Sequence, residues 1–230
     1  MSQNAIAGAK ADWLRRFDGA VTYKEISFGS PTVRHVFKRT YDQVGRNCHY
    51  ISVFGRVLLG ESQMADAEES VIKRAQEIHT AFERKVNATR AVVAEAGIED
   101  MAEFSQPITV KAAVIVPTQA KMLKTLSLAD EFLRLINTLW LEGEITDREK
   151  SKAELELKQL LRGFFSTTRK MRVYLQNKVT EAQAKGTVSA SVVATDGNED
   201  HGEDDDAQDA EASAAVAEVP APAEKELVAA

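Results

Sequence analysis

The chain has 230 residues, 44% of them hydrophobic, and a formal net charge of -6. Its longest apolar runs, such as Ala112–Pro117 and Val57–Leu59, fall far short of the roughly 20 residues a membrane-spanning helix needs. The N-terminus lacks the apolar core of a secretory signal, and the single cysteine, Cys48, excludes an internal disulfide. A reducing, cytoplasmic setting is therefore expected.

The net charge is divided along the chain. Residues 1–190 hold 28 Lys+Arg against 23 Asp+Glu, a balance of +5. Residues 191–230 hold one lysine against 12 acidic residues, a balance of -11. This asymmetry fits a body that meets a polyanion and a tail that repels or imitates one. A tail that only keeps the protein soluble fits the same numbers.

Residues 1–62 read as a mixed region packed on the body. Val21–Phe28 alternates only in part and ends at the turn signal Gly29-Ser30-Pro31. Val33–Tyr41 is apolar and basic. Tyr50–Phe54 reads equally as a strand or as the start of a buried helix. Residues 63–98 carry the clearest helical signal. Val71, Ala75, Ile78, Phe82, Val86, Thr89 and Val93 recur at spacings of three and four, a mainly apolar stripe that needs a partner. Gly97 marks its end.

Residues 107–185 read as a strand followed by helices. Ile108, Val110, Ala112, Val114 and Val116 fall on one face of the strand, and Thr109, Lys111 and Ala113 on the other. A helix opens at Pro117 or Thr118. Ser127 is expected to cap a second helical piece, with Asp130 and Glu131 in its first turn and its end at Gly143. Thr146-Asp-Arg-Glu149 is a capping box for a last helix that reaches about Lys178. Residues 187–230 lack periodicity and aromatics, so a disordered acidic tail is expected. The predicted fold class is mainly α with a small β element.

No catalytic constellation can be assembled, and no cofactor, metal or small-molecule substrate is expected. Gly55–Ser62 has the glycine spacing of a P-loop, but Glu61 stands where the phosphate-binding lysine belongs. Four histidines at 35, 49, 79 and 201 make no zinc spacing. The acidic run Asp204–Asp206 reads as solvated tail, and Cys48 as a small core residue.

Two basic clusters point to nucleic acid. Arg34, Lys38 and Arg39 interleave with His35, Phe37 and Tyr41. Lys158, Arg162, Arg169, Lys170, Arg172 and Lys178 lie in a stretch, 158–185, with seven basic residues and one acid, Glu181. Such density neutralises phosphates. Core packing is the more ordinary role for Phe37 and Tyr41.

Strand, helix, break and second helix is also the outline of a ribbon-helix-helix unit. There, two protomers pair their strands and insert the ribbon into the major groove. On that outline Lys111 donates to guanine, Thr109 to a base or phosphate, and Ala113 touches a thymine methyl. Backbone amides near Ser127 hold a phosphate. An ordinary core strand with packed helices explains the same pattern.

Leu128–Glu149, with its Leu-Ala-Asp-Glu-Phe-Leu opening and Glu-Ile-Thr-Asp-Arg-Glu turn, is followed by Leu160-Leu-Arg-Gly-Phe-Phe165. These stretches resemble the C-terminal half of the AcaB-like family of integrative conjugative elements and conjugative plasmids. Phe54-Gly-Arg-Val-Leu-Leu-Gly60 and the long helix after it are similar to the family's N-terminal half. One departure is Val116-Pro-Thr-Gln-Ala120, which stands where the family pattern has an aromatic, glycine-rich segment. The resemblance implies a ribbon-helix-helix-like regulator of conjugative transfer genes. The expected function is therefore non-catalytic: transcription regulation by a homodimer that binds double-stranded DNA, without membrane association. The alternative is a scaffold or single-strand-binding accessory protein of a conjugative element or phage. Deleting residues 191–230 should tighten non-specific DNA binding in a low-salt titration; an unchanged affinity would leave the tail a solubility device.

Overall fold

The computed structural model describes residue 14, residues 17–56 and residues 61–184. The acidic segment 187–230 and residues 57–60 of the glycine-spaced stretch 55–62 lie outside the described residues. Chain order is β1 (Thr22–Phe28), α1 (Pro31–His49), a π-helical turn (Tyr50–Phe54), α2 (Glu61–Glu95), β2 (Ile108–Val114), α3 (Pro117–Leu141) and α4 (Asp147–Ala184). The class is mainly helical with a small sheet.

α3 lies at the centre and packs against α1, α2 and α4. No proline or glycine interrupts 118–142, and apolar positions continue through the helix. Leu126 and Ala129 are fully buried, and Leu133 and Leu135 nearly so. Each buried leucine contributes about 1.5–3 kcal/mol, against a few tenths for an unfavourable serine in a helix. Burial wins, so α3 runs straight through Ser127 and the expected break is absent. The second helix after the strand is instead α4.

α2 buries the stripe read from its sequence. Val71, Ala75, Ile78, Phe82, Val86 and Val93 are buried, and the Thr89 hydroxyl donates to the Lys85 carbonyl at 2.8 Å. Lys85 donates to Glu156 of α4 at 2.7 Å, and Arg90 pairs with Glu131 of α3. Gly97 ends the element at φ +68°, with Ile98 N–H donating to the Val93 carbonyl at 3.2 Å. Gly143, at φ +78°, closes α3 in the same way, with Glu144 N–H donating to Leu139 at 2.9 Å. Only glycine takes this left-handed position without a steric cost.

The capping box forms at the start of α4. Thr146 N–H donates to Glu149 Oε2 at 2.8 Å, and Glu149 N–H donates to Thr146 Oγ1 at 3.3 Å. The Thr146 amide, and then its hydroxyl, hold the Glu149 carboxyl below the usual carboxylate range. Trp140 Nε1 donates to Asp147 at 2.7 Å, which ties the end of α3 to α4.

The sheet differs from the expected one. β2 pairs antiparallel with β1 of the same chain, from Thr22↔Val114 to Phe28↔Ile108. The edge expected to meet a second protomer's strand therefore has an intramolecular partner. α1 covers this sheet. Phe37 lies between Phe28 and Tyr41, with ring centroids 5.2 and 4.8 Å away, and the Tyr41 hydroxyl donates to the Ala113 carbonyl at 2.9 Å. Of the two alternatives for Tyr50–Phe54, the helical one holds, with Ile51 buried, but the segment is a π-helical continuation of α1 rather than the start of a helix.

One residue of α3 fixes the start of α1. The Asp130 carboxylate accepts the Gly29 amide at 3.0 Å and the Ser30 amide at 2.8 Å. Ser30 is the N-cap but makes no side-chain cap bond, so Asp130 supplies the acceptor from another helix. Asp130→Ala would leave two part-buried amides unmet. Its expected cost is about 1–3 kcal/mol in a urea melt, and a melt superimposable on wild type would show the clamp to be dispensable.

Gly45 is the close approach between α1 and α3. A Cβ there would stand 2.4 Å from Gln119 Nε2. Gln119 is fully buried, and its Oε1 accepts the Ile115 amide at 3.0 Å, capping the entry to α3. Gly45→Ala should destabilise by about 1–3 kcal/mol through overpacking. Combining it with Gln119→Ala should cost less than the sum of the two single changes; strict additivity would place the clash elsewhere.

Candidate nucleic-acid interface

The β1–β2 ladder sorts its residues onto two faces by strand alternation. Ile26, Phe28, Ile108, Val110, Ala112 and Val114 lie on the inner face, where Phe28 and Ala112 are buried. Tyr23, Glu25, Ser27, Thr109, Lys111 and Ala113 lie on the outer face. All of these but Ala113 are exposed. Two neighbouring strands are about 4.8 Å apart, narrow enough for a groove about 12 Å wide.

The outer face is preorganised by its own contacts. Ser27 and Thr109 share a hydroxyl–hydroxyl hydrogen bond of 2.8 Å. The Lys111 ammonium stands 5.2 Å from the centre of the Tyr23 ring. A cation over an aromatic face gains about 0.5–1 kcal/mol at an exposed site. The lysine is thereby biased toward one place on the ribbon.

Two of the expected reading residues lose their role. Ala113 is 6% exposed, its partner across the ladder is Tyr23, and it is withdrawn from any thymine methyl. Ser127 is exposed in the middle of α3, where the backbone amides are spent on the helix itself, so no amide cluster for a phosphate exists there. Thr109 and Lys111 stand exposed side by side with Ser27 and Glu25.

The first basic cluster lies on α1 beside the sheet. Lys38 and Arg39 are exposed, while Arg34 is half-buried and donates to the Gln106 carbonyl at 3.2 Å, just before β2. Tyr41 is a buried core residue, and Phe37 is half-buried with its ring packed between Phe28 and Tyr41, so packing is the role their contacts show.

The second cluster is spread along α4. At 3.6 residues per turn, Lys158, Arg162, Arg169 and Arg172 lie within an arc of about 80°, with Lys170 and Lys178 off it. Arg162, Arg169 and Lys170 are exposed, Arg172 is half-buried, and Lys178 pairs with Glu181 at 3.1 Å. The second cluster reaches the C-terminal end of α1 through one residue. Arg172 donates to Asn47 Oδ1 at 3.3 Å and lies over the Tyr50 ring at 5.4 Å, while Asn47 Nδ2 donates to Thr168 at 3.4 Å. This is an α1–α4 packing contact with a cation at its rim.

Burial pushes the Cys48 thiol up to about 12, so it stays protonated and poorly nucleophilic. Burial also raises the Asp42 carboxyl, opposed by the nearby Arg46 guanidinium. Among the described residues no group of three or more His, Cys, Asp or Glu is placed to hold a metal ion. No described helix is long and apolar enough to cross a membrane.

Sequence reasoning missed β1 as the ribbon partner, and Glu25 and Tyr23 with it. The signal was weak because Thr22, Tyr23, Lys24 and Glu25 are all exposed, so half the strand shows no alternation. It also missed the clamp made by Asp130, whose partners lie 100 and 101 residues away.

No protein-family model matches the chain, and no curated protein is similar to it in sequence. Among solved structures, the chain is similar in fold to selenomethionine-containing AcaB from uropathogenic E. coli, with a TM-score of 0.66 over 73% of this chain and 86% of that one, at 16% identity. At that identity the likeness is one of fold: the chain has an AcaB-like fold.

Proposed function

We propose that this protein is a non-catalytic, cytoplasmic DNA-binding regulator of conjugative or mobile-element genes that acts as a homodimer. The observation that carries the reading is the outer face of the β1–β2 ribbon, where Ser27, Thr109 and Lys111 stand exposed and in register. Hydroxyl and ammonium donors on a two-stranded ribbon suit the acceptors of the major groove. Lys38 and Arg39 on α1, which packs on the same sheet, supply phosphate contacts. The AcaB-like fold and the AcaB-like sequence features favour the conjugation setting. The ribbon differs from a ribbon-helix-helix one in being formed within one chain. Each protomer then brings a complete ribbon, and dimerisation sets the spacing of half-sites rather than building the reading surface.

A second reading, a scaffold or accessory protein that binds other proteins, draws support from two observations. β2 is paired inside its own chain, and α4 exposes Val173 and Tyr174 at 47% and 54%. A mobility shift separates the two. Promoter fragments of the transfer genes should be retained in preference to random duplex and single strands at two salt concentrations. Lack of any duplex preference at low salt ends the DNA reading. Lys111→Ala should weaken specific binding by about 1–3 kcal/mol and random-duplex binding by less.

A further inference from the structure

We propose that Glu25 is a second base-reading residue, which accepts from the cytosine of the same G·C pair whose guanine Lys111 contacts, with Tyr23 as the residue that positions Lys111. This rests on the duplex-binding reading above. The ladder places Glu25 directly opposite Lys111, and both are exposed on the outer face. Side chains so paired have Cβ atoms about 4.5–5.5 Å apart, close enough to address one base pair.

The chemistry of the two residues is complementary to one edge. Lysine only donates and an ionised glutamate only accepts. In the major groove a G·C pair shows guanine N7 and O6, two adjacent acceptors, then the cytosine N4 donor. An A·T pair instead places its N6 donor between two acceptors, so the ammonium finds one acceptor where guanine offers two. The carboxylate also decides between two modes of contact. A ribbon that only gripped phosphates would be weakened by Glu25, because its charge repels them. A ribbon whose outer face meets base edges uses it.

Tyr23 enters through geometry. It lies diagonally across the ladder from Lys111, and its ring sits 5.2 Å below the ammonium. A lysine stem loses much rotamer freedom when it is held; the ring takes up part of that ordering before DNA arrives. Tyr23 is 42% exposed, so its other face stays open to solvent.

The test is in vitro selection from a randomised duplex pool with the full-length protein, followed by sequencing of the bound fraction. Wild type should fix a G·C pair. Lys111→Ala and Glu25→Gln should each lower enrichment at that same pair by roughly 5-fold or more, and Glu25→Gln should admit A·T there, since glutamine reads adenine N6 and N7. Tyr23→Phe should retain the pair and Tyr23→Leu should blur it. Thermal melts by circular dichroism check that the exposed substitutions leave the fold intact. Two variants acting at unrelated positions, or losing affinity uniformly over all sequences, would overturn the assignment while leaving duplex binding in place. A wild-type pool with no fixed position overturns the duplex reading and this assignment with it.

Discussion

The fold turns on a carboxylate borrowed across the molecule. Asp130 sits in the middle of α3, yet its two oxygens receive the amides that begin α1. The junction between β1 and α1 is thereby pinned to the central helix. Two further contacts hold it there: Phe104 lies where any Cβ on Gly29 would stand, and Phe28 is buried beneath Phe37. With the junction placed, α1 lies along the sheet and the Tyr41 hydroxyl reaches a carbonyl of β2. The strand pairing, the direction of α1 and the site of the exposed cations all follow from where Asp130 holds the chain.

The parts of the structure that local chemistry decides were legible in the sequence. The stripe from Val71 to Val93 states a helix and its buried face, because a period of three and four has few other meanings. Thr146 and Glu149 state a helix start, and Gly97 and Gly143 state helix ends. The parts decided by distant partners were not. Ser127 looks like a cap because serine prefers that place, but the apolar residues around it are worth several times more in burial. The ribbon was legible by half: the alternation of 108–114 gave its faces, while its partner, 22–28, conceals itself as an edge strand with four exposed residues in a row. Of the candidate site, Thr109 and Lys111 stand exposed as their alternation indicates, whereas Ala113 is covered by its surroundings, which no pattern within β2 records.

Charge works at two scales. The overall balance of -6 belongs to the acidic end of the chain, and residues 1–190 are cationic. Within the described body the positive groups are not pooled. Some serve packing, as Arg172 does against Asn47 and Tyr50, or Lys85 against Glu156. Others, such as Lys38, Arg39 and Lys111, stand exposed on α1 or on the sheet it covers. A count of basic residues therefore overstates the cationic surface left free of packing contacts.

The ladder between β1 and β2 also has a consequence for synthesis. Phe28 and Ile108 are neighbours in the sheet but 80 positions apart in the chain. At translation rates of roughly 5–20 residues per second, β1 emerges about 4–16 s before its partner exists. Through that interval its backbone groups have no ladder to join, and Phe28 relies on Phe37, nine residues downstream, for cover. The nascent chain therefore carries an unpaired strand edge for seconds, and the polar, charged residues Thr22, Lys24 and Glu25 along it are of the kind that discourages pairing with a foreign strand. The same exposed side chains that blur the strand's pattern protect it while it waits on the ribosome.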